Sequence, residues 1–351
     1  MTLIAKDRFL WLLDKHGKPA GTVCQEFSVA KKKVDLIDDE TTIFIRVWRG
    51  ERYRDHKLER KNFDSKGLLS LLRRKNVNVP NDEDLMKEIS TYAMTSDSMA
   101  PIEYTHKNLG FVEINGNLVY LAGKPIGKLS EEELGSTYID MKALSQRGDF
   151  ASWKQVMHEE VLGNAPLEFA LAISATAPLV YLLREDGVFA EFPVIALIGE
   201  STTGKTLACR VMGAVDGSPA EGIGRLKDLN STMAAFFKMM ASQQGTMFLF
   251  DEATGKGDWT ISDARYSLVK GVERARCGTN GELKDRASFS GTIVLSGEKS
   301  LLETGKLNMG MVARMVEFSL SWTASKEHAE RLCRKLHNNY GCAIYPLMKK
   351  S

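Results

Sequence analysis

The chain has 351 residues, 43% hydrophobic and 26% charged, with a formal net charge of +2. That balance excludes a disordered or fibrous chain and supplies apolar material for two domains. The near-neutral charge neither supports nor excludes a nucleic-acid partner, so any such surface must be a local patch.

The N-terminal stretch MTLIAKDRFLWLLDKHG carries Asp7 and Arg8 inside its apolar patch and makes a poor secretory signal. No apolar run is read as approaching the roughly 18 residues of a membrane span. The five cysteines are scattered, with no C-x-x-C pair. They read as free thiols in a reducing cytoplasm. The six histidines are dispersed too, and no zinc site is expected.

FSVAKKKVDLI and TTIFIRVW, within 27–48, predict a hairpin. SKGLLSLLRRKN and NDEDLMKEISTYAM predict helices, with Ser65 and either Asn81 or Asp82 as N-caps. FVEINGNLVYL, residues 111–121, predicts a second hairpin, because Asn115-Gly116 accepts the positive φ of a tight turn. These elements form a small α+β domain over 1–145. Beyond it, 166–183 reads as one long apolar helix kinked at Pro178. Apolar strands then alternate with helices: PVIALIG, TLACRVMGAV, LNSTMAAFFKMMAS, TMFLFDE, SLVKGVERARC and GTIVLSGE. Such alternation predicts an α/β domain over 146–351 with a largely parallel central sheet.

Within that domain Gly199-Glu200-Ser201-Thr202-Thr203-Gly204-Lys205-Thr206 matches G-x-x-x-x-G-K-[ST], the P-loop or Walker A pattern. A chain of this length meets the pattern by chance about once in a hundred. Here it also follows an apolar strand and opens a helix. The glycines let successive N–H groups point at one anion, and the helix N-terminus adds positive potential. Lys205 is expected to reach the β- and γ-phosphates of ATP, and the Thr206 hydroxyl to ligate Mg²⁺. The alternative is a glycine-rich turn with no ligand.

GTMFLFDE ends a buried strand on two carboxylates, Asp251 and Glu252. Such a pair is costly to hold there unless a cation offsets it. Asp251 is expected to support Mg²⁺ and Glu252 to activate water, as a Walker B strand. An Asp-Glu pair suggests ATPases in which a further strand, tipped by a polar residue, lies between the other two. GTIVLSGE supplies Ser296 for that sensor role; a serine capping a strand end is the plainer reading. Arg314, just before the apolar MVEFSL, is a candidate finger reaching a neighbouring subunit's site.

Residues 264–290 hold six basic and three acidic side chains around the turn Gly278-Thr279-Asn280-Gly281. The helix before it is expected to end near Cys277. A basic hairpin there can grip single-stranded DNA in the pore of a ring through Arg276, Lys284 and Arg286. A second basic stretch, 46–61, has seven Lys/Arg against three Asp/Glu, with Trp48 and Tyr53 interleaved. It reads more simply as a solvated strand and loop.

With these residues in view, the chain resembles helicase-like P-loop ATPases of phages, plasmids and chromosomal cassette elements, a family long catalogued as a domain of unknown function. Some cassette members resemble replicative MCM-like helicases. The resemblance rests on GESTTGKTLACRVMGAV, FLFDEATGKG, TIVLSGE and HNNYGCA. It implies an AAA+-type ATPase, hexameric, that couples ATP hydrolysis to movement on DNA. It also implies the roles given to Lys205, Thr206, Asp251, Glu252, Ser296 and Arg314. Such helicases often carry a C-terminal winged helix, and none fits after PLMKK. Arg331 and Arg334 are the candidates for a second sensor arginine.

The expectation is thus a cytoplasmic, Mg²⁺- and ATP-dependent DNA helicase or translocase of a mobile element, self-associating into a ring, with no membrane partner. The alternatives are an ATPase that remodels, loads or defends through a protein partner, and a nucleotide-gated binding module with little turnover.

Overall fold

The computed structural model describes residues 2–36, 38–106, 109–123, 125–129, 138–139, 142–188, 191, 194–229, 232–252, 261–275, 286–301 and 315–348. Two compact units emerge: Met1–His106 with Ser130–Tyr138, and Lys107–Leu129 with Ile139–Ser351.

In the first unit β1 (Thr2–Lys6), β2 (Phe9–Leu13) and β3 (Pro19–Gln25) form an antiparallel meander. β4 (Phe27–Asp35), β5 (Thr41–Arg49) and β6 (Arg52–Glu59) form a second one, and β7 (Ile102–His106) joins β4 in parallel. Strand periodicity sends Ile43, Ile45 and Val47 of β5 to the core. There they meet Leu68 and Leu72 of α1 (Ser65–Arg74) and Ile89 and Ala93 of α2 (Glu83–Met99). The cap of α1 is Asp64, not Ser65: its carboxylate accepts from the Gly67 N–H at 2.7 Å. Asp82 caps α2 in the same way, accepting from Leu85 N–H at 2.9 Å.

The second unit begins with the hairpin of β8 (Gly110–Ile114) and β9 (Asn117–Leu121), turned at Asn115 (φ 51°) and Gly116 (φ 73°). This hairpin was expected within a first domain ending near 145. Contacts instead separate the units after His106, because β8 pairs with a strand far along the chain, Gly110 opposite Gln244. β10 (Pro125–Ile126) extends the hairpin, and β11 (Tyr138–Ile139) lies at the β7 edge of the other sheet.

The core of the unit is a sheet built on β12 (Val194–Ile198), β13 (Leu226–Asp228), β14 (Gln244–Asp251), β15 (Ser290–Gly297) and β16 (Met315–Phe318). Its order is β13-β14-β15-β12-β16, and these pairings are all parallel. β8 flanks the start of β14, making a mixed α/β sheet that is mostly parallel. Alternate side chains serve two cores. Ile195, Leu197, Met247 and Leu249 face α4 (Ala165–Ser174) and α6 (Lys205–Gly213), whereas Ala196, Phe248 and Phe250 face α7 (Met233–Met240) and α8 (Ile261–Lys270). On the first face lie also α3 (Phe150–Glu160) and α9 (Lys326–Leu336), and α10 (Ile344–Met348) ends the described chain.

The apolar segment 166–183 is two helices, α4 and α5 (Thr176–Glu185), which part at Ala175 rather than at Pro178. Pro178 sits in the first turn of α5, where its missing N–H breaks no helical bond. Taken together, Ala165–Glu185 spans 21 residues, and an 18-residue window within it has a mean hydropathy of 1.6, long and apolar enough to cross a membrane. This corrects the sequence reading. In the fold, Leu167, Ala170, Ile173 and Ala177 of this segment are buried against the sheet. Its buried face is therefore that of a core helix.

One charge pair is sealed beneath the sheet. Arg225 Nε donates to Asp216 Oδ1 at 2.9 Å, and its Nη2 donates to Met247 O at 2.5 Å. Both side chains are buried. Arg225→Ala should leave a carboxylate and a carbonyl unpartnered and lower stability by about 3–5 kcal/mol. Urea denaturation would read this, and a loss below about 1 kcal/mol would show that the pair relaxes onto water.

Candidate nucleotide site at the sheet edge

β12 runs into the glycine-rich loop and α6 follows directly, so the loop sits at the C-terminal edge of the parallel strands. Open α/β sheets bind ligands there. Gly204 stands at the start of α6 with φ +84°, and a Cβ on it would meet Thr323 Cγ2 at 3.1 Å and Thr323 N at 3.2 Å. Both the left-handed backbone and the close approach require glycine. The loop is tethered at each end: Gly199 N–H donates to Gly297 O at 3.2 Å, and Trp322 N–H donates to Thr203 O at 2.7 Å.

Lys205 is 7% exposed. Its Nζ donates to Gly199 O at 2.6 Å and to Glu200 O at 2.7 Å. An ammonium has three N–H donors, so the loop carbonyls engage two and leave one. Ser201 and Thr202 are exposed at the loop tip.

The strand period that sends Met247 and Leu249 toward α6 sends Asp251 there as well. Asp251 is 7% exposed, and its Oδ2 accepts from Thr206 Oγ1 at 2.8 Å. Its Oδ1 accepts from the Ser296 hydroxyl and, at 3.2 Å, from the Glu252 N–H. Ser296 is buried on β15, the strand inserted between β12 and β14. Thr206, Asp251 and Ser296, far apart in sequence, thus form one connected set. Glu252 is exposed and holds φ +55°, a left-handed conformation that a non-glycine residue adopts at a cost of about 1–2 kcal/mol.

Thr206 and Asp251 offer hard oxygen donors. One carboxylate and one hydroxyl suit Mg²⁺, which keeps several waters and seldom takes an all-protein cage. Among the described residues, no group of three or more His, Cys, Asp or Glu side chains could hold a metal by itself.

Behind the loop, sequence reasoning named Arg331 but missed Thr323, His328 and Glu160. Thr323 packs on Gly204, and its hydroxyl lies 3.3 Å from His328 Nδ1. His328 Nε2 is 2.8 Å from Glu160 O. The Glu160 carboxylate accepts from Arg331 Nε at 2.9 Å and from Lys335 Nζ at 2.6 Å. Burial alone would raise its pKa, but the hydrogen bonds and charges of Arg331 and Lys335 outweigh that and hold it below the usual carboxylate range. Arg331 is therefore engaged by Glu160 of α3. For Thr323 the sequence offers no signal beyond a Trp-Thr pair following a strand.

Arg276, Lys284 and Arg314 lie outside the described residues. Arg286 is exposed, and its Nε donates to Glu273 O at 2.7 Å, so it sits beside the Val272–Ser288 bridge. The helix before the hairpin, α8, ends at Lys270 rather than near Cys277, because Val272 is already bridged to Ser288.

Residues 12–288 match the family DUF927, a domain of unknown function. The chain belongs to this family. No curated protein matches it. A solved structure described as an SCCmec type IV Cch active helicase aligns over 100% of this chain and 64% of its own, with 18% identity and a TM-score of 0.72. The DUF927 chain therefore has a helicase-like fold and spans a little under two-thirds of that protein's length. Two others superpose only loosely. A JCV helicase carrying a small molecule aligns over 56% of this chain and 58% of its own, at 13% identity and a TM-score of 0.27. An NrS-1 C-terminal region aligns over 89% and 65%, at 7% and 0.28.

Two substitutions should move stability in opposite directions. Gly204→Ala should lower it by about 1–3 kcal/mol through left-handed strain and the Thr323 contact. Glu252→Gly should raise it slightly, because the strain relieved exceeds the roughly 0.5–1 kcal/mol entropy cost of glycine. Thermal denaturation measures both; a destabilised Glu252→Gly variant would mean that the Glu252 side chain holds its backbone.

Proposed function

We propose that this DUF927 protein is a Mg²⁺-dependent ATPase of the AAA+ type and a DNA motor, a helicase or translocase of a mobile element. The observation that carries the reading is the Thr206–Asp251–Ser296 set beneath the Lys205 loop, with the Ser296 strand placed between the P-loop strand and the Asp251 strand. Backbone N–H groups of 199–206, Lys205 and the N-terminus of α6 receive the phosphates of ATP. Thr206 and Asp251 are the side chains that would hold Mg²⁺, which would offset the charge of the phosphates. Ser296 orients Asp251. Glu252, just past the strand end and exposed, accepts the proton of the attacking water.

The helicase-like fold supports DNA as the substrate at a coarse level. The finer assignments rest on the sequence: Arg314 as a finger completing a neighbour's site, a hexameric ring, and Arg276, Lys284 and Arg286 on single-stranded DNA. Likeness to MCM-like cassette helicases belongs to the same reading. The first unit serves here as a collar on the DNA or between subunits.

The test is ATP hydrolysis against protein concentration, with and without single-stranded DNA. The specific rate should rise with concentration as subunits complete one another's sites, and rise again with DNA. Glu252→Gln should retain ATP binding and lose turnover by about 10²–10⁴-fold. Lys205→Ala should lose binding itself. A rate independent of both concentration and DNA would remove the ring motor, and a Glu252→Gln variant with unchanged turnover would remove the assignment of the base.

A further inference from the structure

The first unit carries a groove of about 730 Å³ between α1 and α2. Helical spacing sets its walls. Lys66, Leu69 and Arg73 share one stripe of α1, and Glu83, Met86 and Lys87, at i, i+3 and i+4, share the facing stripe of α2. Leu69 and Met86 form an apolar floor, the former almost fully buried and the latter packed on the core of the unit. The rim is cationic: Lys66, Arg73, Arg74 and Lys87 stand against one carboxylate among the lining residues, Glu83.

These cations are weakly committed. Among the described residues, neither Lys66 nor Arg74 has an ion-pair partner. Lys87 meets only Asp84, at 3.5 Å, with both side chains 75% exposed; such a pair contributes little. The Arg73 guanidinium is held by Asn81 Oδ1 at 3.3 Å, Pro80 O at 3.5 Å and the Met86 sulfur at 3.5 Å. The aliphatic stems of the four cations widen the apolar floor, while their heads keep a positive rim.

We infer that this groove docks an acidic amphipathic helix of a partner protein. Charge complementarity selects an acidic ligand. The floor selects a helix rather than a nucleic acid: no aromatic ring lines the groove to stack a base. A leucine and an adaptable methionine instead receive aliphatic knobs at i, i+3/i+4 and i+7. The ten residues of α1 run for about 15 Å, the length of some three turns of a bound helix. None of the groove's lining residues belongs to the proposed ATP site, so the proposal stands or falls separately from the motor reading.

The experiment uses the full chain without nucleotide and a fluorescently labelled synthetic peptide of about four turns. The peptide carries leucines at i, i+4, i+7 and i+11 with Glu and Asp elsewhere, and a scrambled peptide is the control. Anisotropy should show saturable binding of the patterned peptide, weakened by salt. The double variant Lys66→Glu/Arg74→Glu changes exposed side chains and should melt like the parent, yet weaken binding at least about tenfold. Undiminished binding by the double variant, or equal binding of the scrambled peptide, would overturn the proposal. So would two other outcomes: loss of labelled oligo-dT binding without loss of peptide binding, which would assign the groove to nucleic acid, and a changed sedimentation of the protein alone with no peptide binding, which would assign it to a second copy.

Discussion

The second unit is organised around one buried carboxylate. Asp251 ends a strand whose preceding residues are almost wholly apolar, and a lone charge there would be expensive to desolvate. It is tolerated because each oxygen has a partner: the Thr206 hydroxyl on one side, the Ser296 hydroxyl and the Glu252 N–H on the other. Those partners come from α6, β15 and the end of β14 itself. The sheet order that brings them together is therefore part of the site. Were β15 not between β12 and β14, Ser296 would not reach Asp251, and one oxygen would lose its hydroxyl partner.

The parts legible in the sequence were those with a local physical signature. The glycine-rich loop, the apolar runs ending in Asp251 and Ser296, and the Asn115-Gly116 turn each announce themselves within a dozen residues. Much of what failed depended on partners distant in sequence. The hairpin over 110–121 reads as part of the N-terminal unit because it is near it in sequence, yet Gly110 pairs opposite Gln244. The end of α8 was misplaced because an antiparallel bridge from Val272 to Ser288 draws the chain out of helix before the residue pattern changes. Asp64 displaces Ser65 as a cap because a carboxylate one residue earlier reaches the Gly67 N–H. The continuous apolar stretch over 165–185 hides its break, since two core helices and one long helix have the same composition.

The glycine-rich loop illustrates the same division at finer scale. Its motif specifies a turn that can wrap an anion, but it does not specify what holds the turn in shape. That comes from Gly297 at one end, just past Ser296, and from Trp322 and Thr323 at the other, which carry no recognisable motif. Thr323 in turn touches His328, and His328 touches Glu160, to which Arg331 and Lys335 bind. Helix α9 is thereby anchored on α3 by a buried carboxylate with two cations, and the strap between β16 and α9 is pinned to the loop. Two carboxylates, Asp251 and Glu160, thus fix the loop from opposite directions: one through the sheet, the other through the helices behind it. Neither is stable without its partners, so the geometry at the sheet edge is a property of the whole second unit rather than of the eight residues that reveal it.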